Sequence, residues 1–176
     1  MAISKLAIVG SGTAGLINAL TTKTLFPKLD VVVVSSETIG IIGVGEGSTE
    51  HWTQFERITG IDRSAMVAET EATFKLGIRF VDWTNQTPDY FHSIGGGQDL
   101  HGTFLGLYNY VHSQNKQLTP NFVNSLLVKN FVLDTENILF QTNQFHFDTF
   151  KLNKFLKSKC LDSGVKFVEG EVSDLK

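Results

Sequence analysis

Clusters of lysine and arginine are absent from this sequence, long apolar runs are absent too, and cysteine occurs once. The 15 basic residues are scattered among 18 acidic ones, for a formal net charge of -3. Such a chain has no electrostatic footprint for nucleic acid or an anionic membrane surface. No segment approaches the roughly 20 apolar residues that a bilayer-spanning helix needs. Met1 to Val9 passes straight into a strand-like pattern, without the charged head and long apolar core of a signal peptide. A lone Cys160 cannot build an internal disulfide framework and suits a reducing compartment. These absences predict a soluble, cytoplasmic protein with no membrane and no nucleic-acid partner. His51, His101, His112 and His146 lack metal-ligand spacing, so no metal is expected.

What is present is an ordinary globular profile, 41% hydrophobic and 19% charged over 176 residues, long enough for one sizeable core. Fourteen phenylalanines make that core aromatic, and packing accounts for most of them. Cys160 stands late in an apolar helical run, which predicts a half-buried structural thiol rather than a reactive one.

Lys5 to Val9 reads as a strand that ends in Gly10-Ser11-Gly12-Thr13-Ala14-Gly15. Leu16, Ile17, Ala19 and Leu20 then recur at helical spacing until Phe26-Pro27. Asp30 to Val34 brings four consecutive valines, the pattern of a strand buried on both faces. Strand, glycine turn, helix and strand make a βαβ unit over residues 4–37, with a parallel pair. Residues 35–49 read as a Gly/Ser/Thr-rich loop, His51–Ile58 and Asp62–Lys75 as helices, and Gly77–Trp83 as a strand. Residues 84–119, with Gly95-Gly96-Gly97, form a long, weakly periodic stretch, and Phe131–Leu139 can hold a strand. Asp148 is the expected N-cap of a helix through Cys160 that buries Phe150, Leu152, Phe155 and Leu156 and closes at Ser163-Gly164. Val165–Val168 reads as a further strand, and Val172 as the opening of another that has no partner after it.

The three glycines have separate tasks in a dinucleotide fingerprint that follows a strand and opens a helix. Gly10 allows the tight turn, Gly12 admits a pyrophosphate to the backbone, and Gly15 permits close helix–strand packing. Free N–H groups and the helix dipole then attract the phosphates. A plain glycine turn without a ligand is the alternative. An acid should follow roughly 20 residues on to hold the ribose hydroxyls. Ser35-Ser36-Glu37 stands there instead, leaving Glu37 either as that ligand or as a solvated loop carboxylate.

Two further segments are Ile42-Gly43-Val44-Gly45-Glu46-Gly47-Ser48-Thr49 and Ala72-Thr73-Phe74-Lys75-Leu76-Gly77-Ile78-Arg79-Phe80-Val81-Asp82-Trp83. With the glycine turn, and with His146-Phe147-Asp148 opening a helix, they resemble the flavin-dependent tryptophan halogenases in order and spacing. The resemblance runs from about Leu6 to Val172. It implies an α/β, Rossmann-like FAD-binding fold of the GR2 type, incomplete at the C-terminus. The implied parts are a flavin strap at 38–50, a substrate-side insert at about 84–145, and a helix and strand returning to the FAD domain at 146–176.

The implied chemistry is that reduced FAD, dioxygen and a halide give hypohalous acid, which a lysine relays to an electron-rich aromatic ring such as an indole. By motif match the lysine is Lys75, whose other reading is a solvated cap between helix and strand. An ammonium can polarise the oxidant, and a desolvated lysine can act as a nucleophile. Gly12, Thr13, Ala14, Gly15, Ser36, Ile39, Glu46 and Gly47 match positions that touch FAD in the family, and Gly10, Glu37 and Gly45 complete the expected cofactor set. His92 matches a stacking histidine, with a structural histidine as its alternative, and Ile94 replaces an aromatic. Expected partners are a small aromatic substrate, a separate flavin reductase, and a second polypeptide if this chain is one half of a split protein. Another FAD-dependent monooxygenase and a non-catalytic dinucleotide-binding remnant are the competing readings. Family members carry an acid where Ser35 stands and are much longer.

Overall fold

β-Branched side chains at consecutive positions suit a strand covered on both sides, and Val31, Val32 and Val33 are all buried. They belong to β2 (Asp30–Ser35), the middle strand of a parallel sheet in the computed structural model, which describes residues 3–43, 45–75, 77–82, 90–93 and 144–174. β1 (Lys5–Val9) pairs with one side in the register Leu6↔Val31 and Ile8↔Val33. β8 (Lys166–Glu169) pairs with the other, with Val34 opposite Val168. The two compact units of the chain are Met1–Thr73 with Phe145–Lys176, and Phe74–Gln144.

In the first unit, α1 (Thr13–Leu25) connects β1 to β2 and buries Leu16, Ala19 and Leu20, one face at i, i+3 and i+4. The Lys23 ammonium closes the following turn by donating to the carbonyls of Pro27 and Leu29, both at 2.9 Å. α4 (Thr149–Asp162) leads into β8 and is capped as expected by the Asp148 carboxylate, which accepts from the Lys151 amide at 3.0 Å. α4 runs parallel to α1. Asn153 reaches the Ser11 carbonyl at 2.6 Å and the Cys160 thiol reaches the Leu16 carbonyl at 3.4 Å, so both helices advance together.

α2 (Trp52–Thr59) and α3 (Arg63–Thr70) form a helical pair held by a buried Glu56. That carboxylate accepts from Trp52 Nε1 at 3.1 Å and from Arg63 Nε at 3.0 Å. Trp52 also packs on Phe55 and Phe147, with ring centroids 5.1 and 4.8 Å apart.

Several boundaries differ from the sequence pattern. The helix expected to reach Lys75 stops at Thr70, because Glu71 turns left-handed (φ 51°) and the Ala72 amide bonds back to the Val67 carbonyl at 3.2 Å. The chain then enters β4 (Thr73–Phe74) and β5 (Gly77–Phe80), and β5 ends before Asp82, itself left-handed at φ 52°. The strap is not wholly irregular, since β3 (Glu46–Gly47) pairs antiparallel with β7 (Phe145–Phe147). Leu152, Phe155 and Leu156 are buried as expected, but Phe150 is 60% exposed. Its position lies across the helix from the stripe that Leu152, Leu156 and Cys160 define. Cys160 is fully buried rather than half-buried, and residues 171–174 form no strand. The expectations for 84–119 and 131–139 fall outside the described residues.

In the second unit, β5 pairs antiparallel with β6 (Tyr90–Ser93), placing Ile78 opposite His92. No helix among the described residues is long and apolar enough to cross a membrane.

Candidate functional site

The glycine turn joins the carboxyl end of β1 to the start of α1, and each of its glycines has a distinct physical situation. Gly10 is left-handed (φ 99°) and its N–H donates to the Val34 carbonyl at 2.8 Å, fastening the turn to β2. A Cβ on Gly15 would lie 2.1 Å from the Gly10 carbonyl oxygen, so α1 approaches the turn as closely as a glycine permits. A Cβ on Gly12 would meet nothing within 4 Å. The backbone there is open to an approaching ligand.

α1 begins at Thr13 with Gly12 as N-cap, without a side-chain cap bond and without an acid in its first turn. The first N–H groups of a helix have no partner within it, and the dipole adds partial positive charge. Thr13 Oγ1 is buried and has no hydrogen-bond partner among the described residues. A phosphate-bearing ligand fits these features: a donor-rich helix start, space before Gly12, and a hydroxyl still to be satisfied.

Ser36 and Glu37 follow the carboxyl end of β2, beside this turn because β1 and β2 are in register. The Ser36 carbonyl accepts from the Gly40 amide at 3.3 Å. Glu37 is exposed, and its backbone N–H donates to the Glu169 carboxylate at 2.8 Å. That bond ties the end of β2 to the end of β8. In the strap Ile39 is 60% exposed, Gly45 and Gly47 are exposed, and Glu46 is half-buried. Gly47 pairs with His146 and Glu46 with Phe147. Ser48 completes the attachment: its amide donates to the Phe145 carbonyl at 2.9 Å, and its hydroxyl accepts from the Phe145 amide at 2.8 Å.

Two polar contributors carry no role in the sequence expectations: Ser48 and Asn153. Asn153 had a readable signal, a polar residue within an otherwise apolar helix face. Ser48 had none, because its partner lies 97 residues away.

Lys75, His92 and Ile94 stand apart from this group in the chain. Lys75 is half-buried in the second unit, where its amide donates to the Gln144 carbonyl at 3.0 Å. His92 is placed in β6 at the level of its backbone, and Ile94 lies outside the described residues. Burial pushes the Cys160 thiol up to about 12, and at 0% exposure it is a core atom without nucleophilic character.

A parallel βαβ unit with a glycine turn opening its helix is the arrangement of the α/β dinucleotide-binding fold class. The sequence model of the tryptophan halogenase family matches residues 5–176, and the chain belongs to that family. It is 28% identical to the 7-chloro-L-tryptophan 6-halogenase KtzR of Kutzneria sp. (strain 744), over 97% of this chain and 39% of that protein. The tryptophan 6-halogenase SttH of Streptomyces toxytricini is 27% identical over 98% of this chain and 38% of its own length. Among solved structures, Xcc4156, a flavin-dependent halogenase from Xanthomonas campestris, superimposes with a TM-score of 0.77 at 26% identity, covering all of this chain and 37% of its own. The chain thus spans under two-fifths of the length of these relatives.

Proposed function

We propose that this chain supplies the flavin-nucleotide cradle and the relay lysine of a flavin-dependent halogenase acting on an electron-rich aromatic ring. The observation that carries the reading is the glycine turn, closed at Gly15 by the Gly10 carbonyl and open in front of Gly12. Family membership over residues 5–176 supplies the chemistry.

FAD is the proposed cofactor. Gly10, Gly12, Thr13, Ala14 and Gly15 would hold its pyrophosphate at the start of α1. Ser36 and Glu37 would face the adenosine ribose, and Ile39, Gly45, Glu46 and Gly47 would border the flavin. Bound in reduced form, FAD would supply the two electrons that bring dioxygen to the peroxide level, at which it oxidises a halide to hypohalous acid.

Lys75 would hold that acid by donating from its ammonium to the oxygen, which makes the halogen electrophilic. As the O–X bond breaks and the halogen passes to a ring carbon, the hydroxide leaves as water with the donated proton, and the proton that the same ring carbon loses to restore aromaticity returns through solvent to the lysine. His92 and Ile94 are proposed substrate contacts. An isoleucine in place of an aromatic gives less stacking surface and points to a looser pocket. A separate reductase delivers the reduced flavin, further polypeptide supplies the remainder of the enzyme, and the site of action is the cytoplasm.

The test is to supply reduced FAD, oxygen and bromide, with an indole or a phenol, to the complete enzyme carrying this chain and to its Lys75→Ala variant. Halogenated product is expected from the wild type alone, with flavin oxidation unchanged in the variant. Equal product yield from Lys75→Ala removes Lys75 from the mechanism, and hydroxylation without halogenation reassigns the protein as a monooxygenase.

A further inference from the structure

Thr149 is the first residue of α4 and only 1% exposed, yet its Oγ1 has no hydrogen-bond partner among the described residues. A buried hydroxyl in this state costs free energy, and such a group calls for an explanation.

Its location supplies one. Asn153 stands one turn further along α4 on the same face and is fixed to the Ser11 carbonyl at 2.6 Å. At a rise of about 1.5 Å per residue, Thr149 therefore lies roughly 6 Å beyond the level of Ser11. Since α4 runs parallel to α1, that overhang carries the start of α4 past the glycine turn, towards the region outside the carboxyl ends of the strands. Ligands of open α/β sheets bind in that region. The Thr13 hydroxyl at the start of α1 is likewise buried and without a partner. Two unsatisfied buried hydroxyls, one from each parallel helix, thus stand at the end of the fold that carries the glycine turn.

Gly43 of the strap forms the other boundary. A Cβ built on it would lie 3.1 Å from Thr149 Cγ2 and 3.5 Å from Thr149 Oγ1. The strap has neither helix nor strand from Ser36 to Gly43, and Ile42 is 85% exposed, so a small outward shift breaks no ladder. A ligand running from the glycine turn towards the strap passes the Thr149 side chain.

We propose that the Thr149 hydroxyl donates a hydrogen bond to the phosphate–ribityl linker of the flavin nucleotide, from the start of α4. The proposal rests on the flavin-binding reading above and adds a second helix to the cradle. The test compares wild type, Thr149→Val and Thr149→Ser by titration with oxidised FAD and by thermal unfolding without flavin. Valine matches threonine in shape, so removing an unsatisfied hydroxyl leaves the flavin-free Tm unchanged or higher. The same substitution raises the Kd for FAD about tenfold, as loss of one hydrogen bond to a phosphate or hydroxyl oxygen does. Thr149→Ser keeps Kd within about twofold, since its hydroxyl remains.

An unchanged Kd in Thr149→Val overturns the proposal while leaving flavin binding intact. A Tm several degrees lower in Thr149→Val overturns it as well, because the hydroxyl then has a structural partner. A wild-type chain that does not bind FAD defeats the underlying reading together with this one.

Discussion

Replacing Gly15 by alanine sets two opposed effects against each other. Alanine is the better helix former, by about 1 kcal/mol in a helix interior. Against this, the new Cβ would fall 2.1 Å from the Gly10 carbonyl oxygen, where real contacts stay above 3.0 Å, so α1 and the turn must part by about 0.9 Å. The obstacle is backbone and cannot rotate aside. Gly10 is also held by its own 2.8 Å bond to Val34. Overpacking of this kind costs about 3 kcal/mol, and a gap near 1 Å forfeits up to roughly half of each lost dispersion contact. The net destabilisation is about 2 kcal/mol, a Tm fall of roughly 4–8 °C for a chain of this length. Gly12→Ala is the control. Its Cβ meets nothing within 4 Å and its φ of -67° suits alanine, so stability falls by at most about 1 kcal/mol. On the proposed flavin-binding reading that Cβ would occupy the pyrophosphate approach, and Gly12→Ala should weaken FAD binding at least tenfold. Circular dichroism melts and FAD titration separate the two. A Gly15→Ala protein melting within 2 °C of wild type would refute the close-packing argument.

Arg63→Met leaves the buried Glu56 carboxylate without its cation and should cost about 3 kcal/mol, read as a lower urea midpoint. Phe150→Ser should stay within about 0.5 kcal/mol of wild type, since that ring is exposed; a loss of 2 kcal/mol or more would restore it to the core. Cys160 should resist thiol reagents at pH 8 in the folded chain. Its folded pKa, about 12, lies above the unfolded value of 9.0, so its contribution is constant below pH 9 and is lost as pH rises towards 12. The slope should approach 1.4 kcal/mol per pH unit in that window and be absent in Cys160→Ala.

Much of the first unit was legible because its signals are local. Four valines in a row specify a strand with two covered faces, and the order strand, glycine turn, helix, strand specifies a parallel pair. Asp148 was readable as a cap because the bond it makes spans three residues. Helix ends were less legible: nothing in the composition around Glu71 marks it for a left-handed backbone, and the pattern of Ala and Glu continues past the point where the helix stops. Phe150 is exposed because the angle at which its side chain leaves the helix, and not its hydrophobicity, decides which face it joins.

The residue types and their spacing were enough to set the βαβ unit, the glycine turn and membership of the tryptophan halogenase family, since each depends on neighbours within a few residues or on a motif. The tertiary structure alone decided which polar groups meet. Ser48 finds Phe145 across 97 residues, and Asn153 finds Ser11 across 142 because two helices pack in parallel. A sequence fixes local conformation through short-range sterics, but the direction in which a distant helix overhangs a turn follows from how buried faces pack together.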